Sequence, residues 1–186
     1  FNSPDLKIVH KKNFIFIIGK DNSLTKNDYY SDERYELISV SRIDNRNSLL
    51  KETNLPKDST NSKLILSLYK KFKTQAFNKI FGGFSAIIID KKFNKVTAFT
   101  DHLNQKPLFY SNKQSDFFFS SSIESLFQSE VKRNQICEEV LLDFLVCGAP
   151  RVNKTIYKNV NILPNNCFLK LDEEEKIKIK SFYTFK

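Results

Sequence analysis

The feature that most constrains the fold is an apolar run that follows two adjacent glycines, Gly82 and Gly83. Residues 84–90 are apolar at almost every position and lack the alternation of a strand with one face in water. A run of this length and composition is typical of a strand that is covered on both faces. The chain must therefore place further layers of structure on each side of this strand.

The segments around this run predict a mixture of strands and helices. Alternating apolar residues and turn residues predict strands at 6–18 (two short ones), 35–41, 84–90, 96–101, 107–110, 116–120, 167–171 and 177–185. Helical spacing predicts helices at 60–72 and 138–146, and shorter ones from residues 42–46 through 50 and at 123–127. Hairpin connections between them indicate an α+β fold, with helices layered on largely antiparallel sheets.

Two local patterns extend these predictions. Phe77, Ile80 and Phe81 continue the apolar helical face beyond residue 72 up to the glycine pair. Cys147 follows the apolar run 140–146, where a buried, inert thiol is expected.

Cysteine and histidine give little support for a metal site or a disulfide framework. The three cysteines, Cys137, Cys147 and Cys167, are odd in number and have no CxxC spacing, and only two histidines accompany them. We therefore expect reduced thiols, no metal and a cytoplasmic protein.

The net charge of +9 does not by itself indicate a nucleic-acid partner. It comes from 25 Lys and 5 Arg against 21 acidic residues, and the lysines are scattered along the chain. Nucleic-acid readers favour arginine and a concentrated basic face. No apolar run approaches the roughly 20 residues of a membrane-spanning helix. The sequence thus predicts neither nucleic acid nor membrane as a partner. Because the chain begins at Phe1 and contains no Met, we expect it to be a piece of a longer protein.

The sequence contains none of the general catalytic motifs considered below. Gly82 and Gly83 follow a helical pattern and precede a strand, the reverse of a phosphate-binding loop. Ser85 lies in a strand pattern rather than in a nucleophile elbow. Asp90 and Asp101 lie at strand ends, where aspartate ordinarily accepts hydrogen bonds from backbone N–H groups. The residues alone therefore predict an α+β domain without assigning an activity.

Six segments, in order and suitably separated, resemble the N-terminal domain of the asparagine synthetase family. They are 64–72 (LILSLYKKF), 81–90 (FGGFSAIIID, similar to GxFAfaiwD), 100–110 (TDHLNQKPLFY, similar to RDxxGxkPLyY), 119–126 (FSSSIESL), 155–164 (TIYKNVNILP) and 181–183 (SFY). The resemblance covers about residues 36–186 and implies that residues 1–186 form a class II glutamine amidotransferase-like domain of the N-terminal-nucleophile type. It implies a four-layer αββα sandwich of two mainly antiparallel sheets flanked by helices.

The same resemblance implies a chemistry whose key residues are altered here. In active members an N-terminal Cys attacks the glutamine amide, with its own α-amine as the base. Position 1 is Phe here, so no catalytic residue is assigned. The Asn-Gly pair of the family's oxyanion hole aligns with Val40 and Ser41. Valine has no amide donor, and the loss of one such donor typically costs about 100- to 1000-fold in rate.

The remaining pocket positions also depart from the family. The acidic residue that holds the substrate amine aligns roughly with Asn61, and only about 40 residues precede Arg42, too few for the Arg-bearing stretch that holds the carboxylate. The RxDNR segment, Arg42-Ile43-Asp44-Asn45-Arg46, resembles that of divergent members such as β-lactam synthetase-like and lasso-peptide cyclase-like proteins. It predicts either an ionic corner in which Asn45 caps the helix or a retained ligand pocket.

Three functions follow as hypotheses. The first is an amidotransferase-like domain without glutaminase activity that supports an ATP-dependent amide ligase of the asparagine synthetase family. The second is an active glutaminase whose Cys lies upstream of Phe1, and the third is a free-standing binding or assembly module. The first implies a synthetase domain, on this chain or a separate one, as the partner and leaves a homodimer possible. ATP and Mg are expected only for that synthetase domain and no cofactor for this chain.

Overall fold

The computed structural model describes residues 6–11, 14–19, 29–113, 116–127, 135–148, 153–171 and 177–183. Its strands are β1 (Leu6–Lys11), β2 (Phe14–Gly19), β3 (Tyr29–Ser31), β4 (Tyr35–Ile43), β5 (Gly82–Asp90), β6 (Lys95–Thr100), β7 (Phe109–Lys113), β8 (Asp116–Ser120), β9 (Asn161–Ile162), β10 (Cys167–Leu171) and β11 (Ile177–Ser181). Its helices are α1 (Arg46–Thr53), α2 (Asn61–Phe72), a 3-10 helix (Lys73–Lys79), α3 (Ile123–Phe127) and α4 (Glu138–Cys147). The chain divides into two compact units, Leu24–Lys106 with Asn165–Lys186, and Phe1–Ser23 with Pro107–Pro164.

The larger unit is built on a six-stranded antiparallel sheet in the order β11-β10-β6-β5-β4-β3. Strand β5 lies inside it, and every residue from Gly83 to Ile89 is buried. The prediction that this run is covered on both faces is therefore confirmed.

Helix α2 packs its apolar side on one face of this sheet. Leu64, Ile65 and Leu68 of the helix share a buried cluster with Ile88 and Phe99 of the sheet. The helix begins as its sequence predicts, because the Thr60 side chain accepts a hydrogen bond from the Lys63 backbone N–H at 3.2 Å. Burial of this stripe is what holds the helix on the sheet.

The segment after α2 differs from the predicted continuous helix. Lys73 has φ of 54°, and the chain continues as a 3-10 helix rather than an α-helix. Phe77 and Ile80 are buried as predicted, but Phe81 is 61% exposed. The reason is that the backbone is already extended at Ile80, so that consecutive side chains point to opposite sides.

The smaller unit contains a five-stranded sheet in the order β1-β2-β8-β7-β9, in which β2 pairs with β8 in parallel. The predicted hairpin of β7 and β8 is confirmed by their antiparallel register. Phe118, Leu126 and Val160 form a buried cluster beside it.

Helix α4 ends as predicted at Gly148, which has φ of 75°. The expectation of a buried Cys147 is wrong, because its side chain is exposed. Only Val140 and Asp143 of this helix are buried, so the apolar run that suggested burial faces largely outward. In the described part of the chain, no helix is long and apolar enough to cross a membrane.

Candidate functional site

Val40 and Ser41 lie in the middle of a continuous strand pair. In the register of β4 and β5, Val40 lies opposite Ser85 and Ser41 opposite Phe84, and the pairing runs on to Ile43. The two positions are therefore part of a sheet ladder rather than of an open turn.

Asn61 is adjacent to Ser41, although the two are far apart in sequence. The Asn61 side-chain amide donates a hydrogen bond to the Ser41 backbone carbonyl at 3.2 Å. The hydroxyls of Ser39 and Ser62, on the same two elements, lie 2.9 Å apart in a buried contact. Both contacts fix the first turn of α2 to β4, so the aligned positions of the family's pocket do meet here.

Arg42 and Asp44 form an exposed ion pair. The Arg42 guanidinium donates to the Asp44 carboxylate at 3.1 Å and 3.4 Å and to the side-chain carbonyl of Gln105 at 3.3 Å. The two charged side chains are 66% and 55% exposed. At this exposure an ion pair stabilises a fold by only about 0.2–1 kcal/mol.

Asn45 does not cap α1, and that part of the prediction is wrong. Although it occupies the N-cap position, its side chain makes no capping hydrogen bond. Instead its amide donates to the Lys79 carbonyl at 2.7 Å, and its side-chain oxygen accepts from the Phe81 N–H at 3.0 Å. Asn45 therefore joins the turn after β4 to the segment that leads into β5.

Arg46 is not part of an ionic corner with Asp44 either. Its guanidinium donates to the backbone carbonyls of Lys57 at 3.1 Å and of Ser59. These carbonyls belong to the loop before α2, so Arg46 holds that loop. Only half of the predicted ionic corner, the Arg42–Asp44 pair, is present.

Asp101 accepts hydrogen bonds from the backbone, as its position at a strand end predicts. Its carboxylate accepts from the N–H groups of Phe84, Leu103, Gln105 and Lys106 at 2.8–3.2 Å and is 1% exposed. A buried carboxylate that accepts this many backbone hydrogen bonds has a structural role.

Asp90 has a similar role at the end of β5. Burial by itself would raise the pKa of Asp90, but the Arg34 guanidinium at 2.8 Å and the N–H groups of Lys92 and Phe93 lower it overall. The charged form is therefore held in place as an ion-pair partner.

Two further titratable side chains of this unit, Cys167 and His102, have pKa values shifted by burial. Burial raises the pKa of the Cys167 thiol, which keeps it protonated and poorly nucleophilic. Burial lowers the pKa of His102, against the opposing effect of Asp101, and its ring lies edge-on to Phe182 and Tyr183. Within the described ranges no group of His, Cys, Asp and Glu is arranged to hold a metal ion.

Sequence reasoning missed Gln105 as a partner of this region. Its side chain accepts from Arg42, and a Cβ at Gly83 would lie 2.9 Å from its Oε1. An exposed glutamine in a polar loop gives no signal in a single sequence, so only the folded chain identifies it.

The fold is that of glutamine amidotransferases. Glutamine phosphoribosylpyrophosphate amidotransferase from Bacillus subtilis matches with a TM-score of 0.57 at 12% identity, over 84% of this chain and 31% of that chain. A glutamine aminotransferase class-II domain protein from Silicibacter pomeroyi matches with a TM-score of 0.50 at 10% identity, over 84% and 71%. The predicted α+β sandwich class is confirmed by this likeness together with the two sheets and their helices.

The chain belongs to the glutamine amidotransferase domain family, whose model matches residues 29–183. Asparagine synthetase [glutamine-hydrolyzing] 2 of Bacillus subtilis is 33% identical over 98 residues, which are 52% of this chain and 13% of that protein. Putative asparagine synthetase [glutamine-hydrolyzing] 2 of Methanocaldococcus jannaschii is 26% identical over 171 residues, 90% of this chain and 32% of that protein. The aligned part thus spans a third or less of the length of these curated relatives. The predicted relationship to asparagine synthetases is confirmed.

Proposed function

We propose that this chain is the amidotransferase-like domain of an ATP-dependent amide ligase, and that it supports the ligase without hydrolysing glutamine. The observation that carries this proposal is the set of internal contacts at the candidate pocket. The side-chain donors of Asn45, Arg46 and Asn61 bind backbone carbonyls of the domain itself. A pocket for glutamine would need such donors to point toward a ligand.

The residues aligned with the family's oxyanion hole also support a domain that does not hydrolyse glutamine. Val40 and Ser41 align with the Asn-Gly pair of the family and lie within the β4–β5 ladder. The valine side chain cannot donate to a developing oxyanion, which typically costs about 100- to 1000-fold in rate. With this loss, even a correctly placed nucleophile would work slowly.

The partner in this proposal is a synthetase domain, on the same polypeptide or on a separate one. The curated relatives extend well beyond the aligned domain, since it accounts for 13% and 32% of their lengths. ATP and Mg would be held by that synthetase domain. The role of this chain would then be to stabilise the synthetase sterically, in the cytoplasm.

An active glutaminase is the rival hypothesis, favoured by the family itself and by the glutamine-hydrolysing names of both relatives. In that case a nucleophile encoded outside these residues would have to act despite Val40. The two hypotheses differ in one measurable quantity, the rate of ammonia release from glutamine.

The test uses the natural full-length gene product and a coupled assay for ammonia. We expect no release from glutamine above a heat-inactivated control, whereas free ammonia serves as the nitrogen donor for the ligase. The matched variant V40N/S41G restores the Asn-Gly pair and should remain inactive if the nucleophile is also missing. Saturable glutamine hydrolysis by the unmodified protein would overturn the proposal.

A further inference from the structure

One end of the six-stranded sheet carries two exposed apolar side chains. Phe81, which directly precedes β5, is 61% exposed, and Leu103, in the turn after β6, is 69% exposed. The register places both at this end, because β5 begins where β6 ends, with Ser85 opposite Thr100. They are the two most exposed large apolar side chains among the described residues of this unit. Exposed apolar groups that share one region of a surface mark interaction sites more often than groups scattered singly.

Polar contacts join the two apolar positions. Gln105, two residues after Leu103, accepts a hydrogen bond from the Arg42 guanidinium at 3.3 Å. Arg42 pairs with Asp44, whose backbone N–H donates to the Phe81 carbonyl at 2.8 Å. We call these five residues the sheet-end surface. Aromatic side chains and arginine are enriched where proteins bind one another, so the composition of this surface suits a protein partner.

The backbone of the sheet-end surface is fixed by hydrogen bonds within the domain. The Asp101 carboxylate accepts from the N–H groups of Leu103 and Gln105 at 2.8 Å and 3.1 Å. The Asn45 side-chain oxygen accepts from the Phe81 N–H at 3.0 Å. A surface whose backbone is already ordered loses little conformational entropy when a partner binds, and this favours binding.

Phe93, at the opposite end of β5, has different surroundings. It is 42% exposed and lies between β5 and β6. The Arg34 guanidinium lies 5.3 Å from the centre of its ring, and the Nζ atoms of Lys92 and Lys95 each lie 5.5 Å from it. Cations of the domain itself therefore partly cover this ring. No cation or aromatic ring of the described residues packs on Phe81 in the same way.

The last described residues of the chain lie beside this surface. Ser181, the last residue of β11, lies at the end of the sheet where β6 also ends. The rings of Phe182 and Tyr183 lie edge-on to the ring of His102, with centroids 5.5 Å and 5.2 Å away. His102 directly precedes Leu103. A domain that continues the polypeptide after residue 183 would therefore emerge next to the sheet-end surface.

We infer that the sheet-end surface is covered by a synthetase domain that is joined to the same polypeptide. This inference rests on the proposed function, in which that domain is the partner. The family match ends at residue 183, and the aligned part makes up only 13% and 32% of the two curated relatives. A domain tethered beside a surface has a high effective concentration there, so that even a modest contact stays occupied. A second copy of the chain has no such tether.

The experiment measures how fast single thiols at this surface react with a maleimide in the natural full-length gene product. Peptide mass spectrometry distinguishes each introduced thiol from the natural ones. We expect the thiols of F81C and L103C to react about tenfold more slowly than that of F93C, because a docked domain excludes water from them. F93C is the matched control, since Phe93 is an exposed phenylalanine at the other end of the same strand. In urea the three thiols should react at similar rates.

A double variant identifies what covers the surface. In F81D/L103C the added charge should prevent docking, so that the thiol at position 103 reacts as fast as that of F93C. Slow labelling of this variant would mean that the domain's own residues protect the thiol, and the inference would be wrong. Thermal unfolding of each variant checks that folded proteins are compared.

Two further outcomes would overturn the inference. Fast labelling of both F81C and L103C would mean that no domain covers the surface. Protection that disappears on dilution would assign the surface to a second copy of the chain. Glutamine hydrolysis by the unmodified protein would refute the proposed function without changing these labelling rates, so the two failures are distinguishable.

Discussion

Two aspartates that end or follow strands of the same unit have very different surroundings. Asp101 is 1% exposed and accepts four backbone N–H groups, whereas the Asp44 side chain is 55% exposed and pairs with Arg42. Removing Asp101 would leave buried donors without acceptors, but removing Asp44 would leave an arginine that water can solvate. A carboxylate in a motif is therefore structural when buried backbone N–H groups depend on it, and replaceable when its only partner is an exposed side chain.

The turn around Asp101 and the RxDNR segment also differ in which of their residues bind the backbone. The Asp101 turn joins β6, β5 and, through the Asn166 N–H that its carbonyl accepts, β10. In the RxDNR segment the structural work is done by Asn45 and Arg46 and not by the charged pair. Substitutions should therefore cost more stability at the residues that bind backbone groups than at the exposed Arg42–Asp44 pair.

The largest effect is expected at Asp101. D101A removes the acceptor of four buried or half-buried N–H groups and should lower the free energy of unfolding by about 4 kcal/mol. D44A should cost no more than about 0.5 kcal/mol because its partner stays solvated. Urea unfolding followed by circular dichroism measures both. Equal losses in the two variants would refute the distinction.

Gly82 allows the backbone of β5 to lie close to the backbone of the RxDNR segment. It has φ of 131°, and a Cβ there would lie 2.0 Å from the Arg42 carbonyl oxygen. G82A should therefore destabilise the fold by about 3 kcal/mol through strain and steric overlap. G148A is the matched control, because Gly148 also has positive φ, at 75°, but its Cβ would meet nothing within 4 Å. We expect about 1 kcal/mol there. Similar melting temperatures for the two variants would contradict the close approach.

Asn45 is expected to contribute more to stability than the Arg42–Asp44 ion pair. N45A loses the hydrogen bonds to Lys79 and Phe81 and should cost about 2 kcal/mol. N45D keeps the acceptor for the Phe81 N–H but places a carboxylate oxygen against the Lys79 carbonyl oxygen, so its loss in thermal unfolding should be at least as large as that of N45A. If N45A were neutral, this bridge would have no role in stability.

The Arg42–Asp44 pair should contribute least among these contacts. A double-mutant cycle with R42A, D44A and the double variant should give a coupling energy of at most about 0.5 kcal/mol. High salt should reduce it further, since both side chains are more than half exposed. A coupling that is several times larger and independent of salt would place this pair among the structural contacts.

The smallest expected effect is a dependence of the free energy of unfolding on pH that comes from His102, the residue after Asp101. Burial lowers its pKa below the ordinary value of 6.5, so the fold favours the neutral ring. The unfolded chain then binds the proton more readily, and stability is present above pH 6.5 and falls as the pH drops below it. H102Q should flatten this part of a stability profile measured by urea unfolding. An unchanged slope would show that other groups cause it.

Much of the fold could be predicted because the spacing of apolar residues along the sequence indicates which side of each element is buried. The Thr60 cap, the stripe of α2 and the apolar run of β5 are confirmed because each depends on residues close in sequence. The failures concern residues whose surroundings come from elsewhere. Phe81 and Cys147 are apolar and helix-adjacent by pattern, yet both side chains are exposed.

The candidate site was less predictable than the fold. Family resemblance selected Val40, Ser41, Asn61 and the RxDNR residues, and their roles as ligand-binding positions stay a prediction. The contacts that they make could not be inferred from spacing. Asn45 binds residues 34 and 36 positions away, and Arg42 binds Gln105, 63 positions away.

By itself the sequence determined the periodicity of the elements and the α+β class. These depend on hydrophobic burial, which repeats with the period of a helix or a strand. The relationship to amidotransferases was indicated by the resemblance of six ordered segments and not by periodicity. The tertiary structure alone decided which polar groups meet. A hydrogen bond acts over about 3 Å and needs its partners aligned, and that alignment exists only after distant segments have packed together.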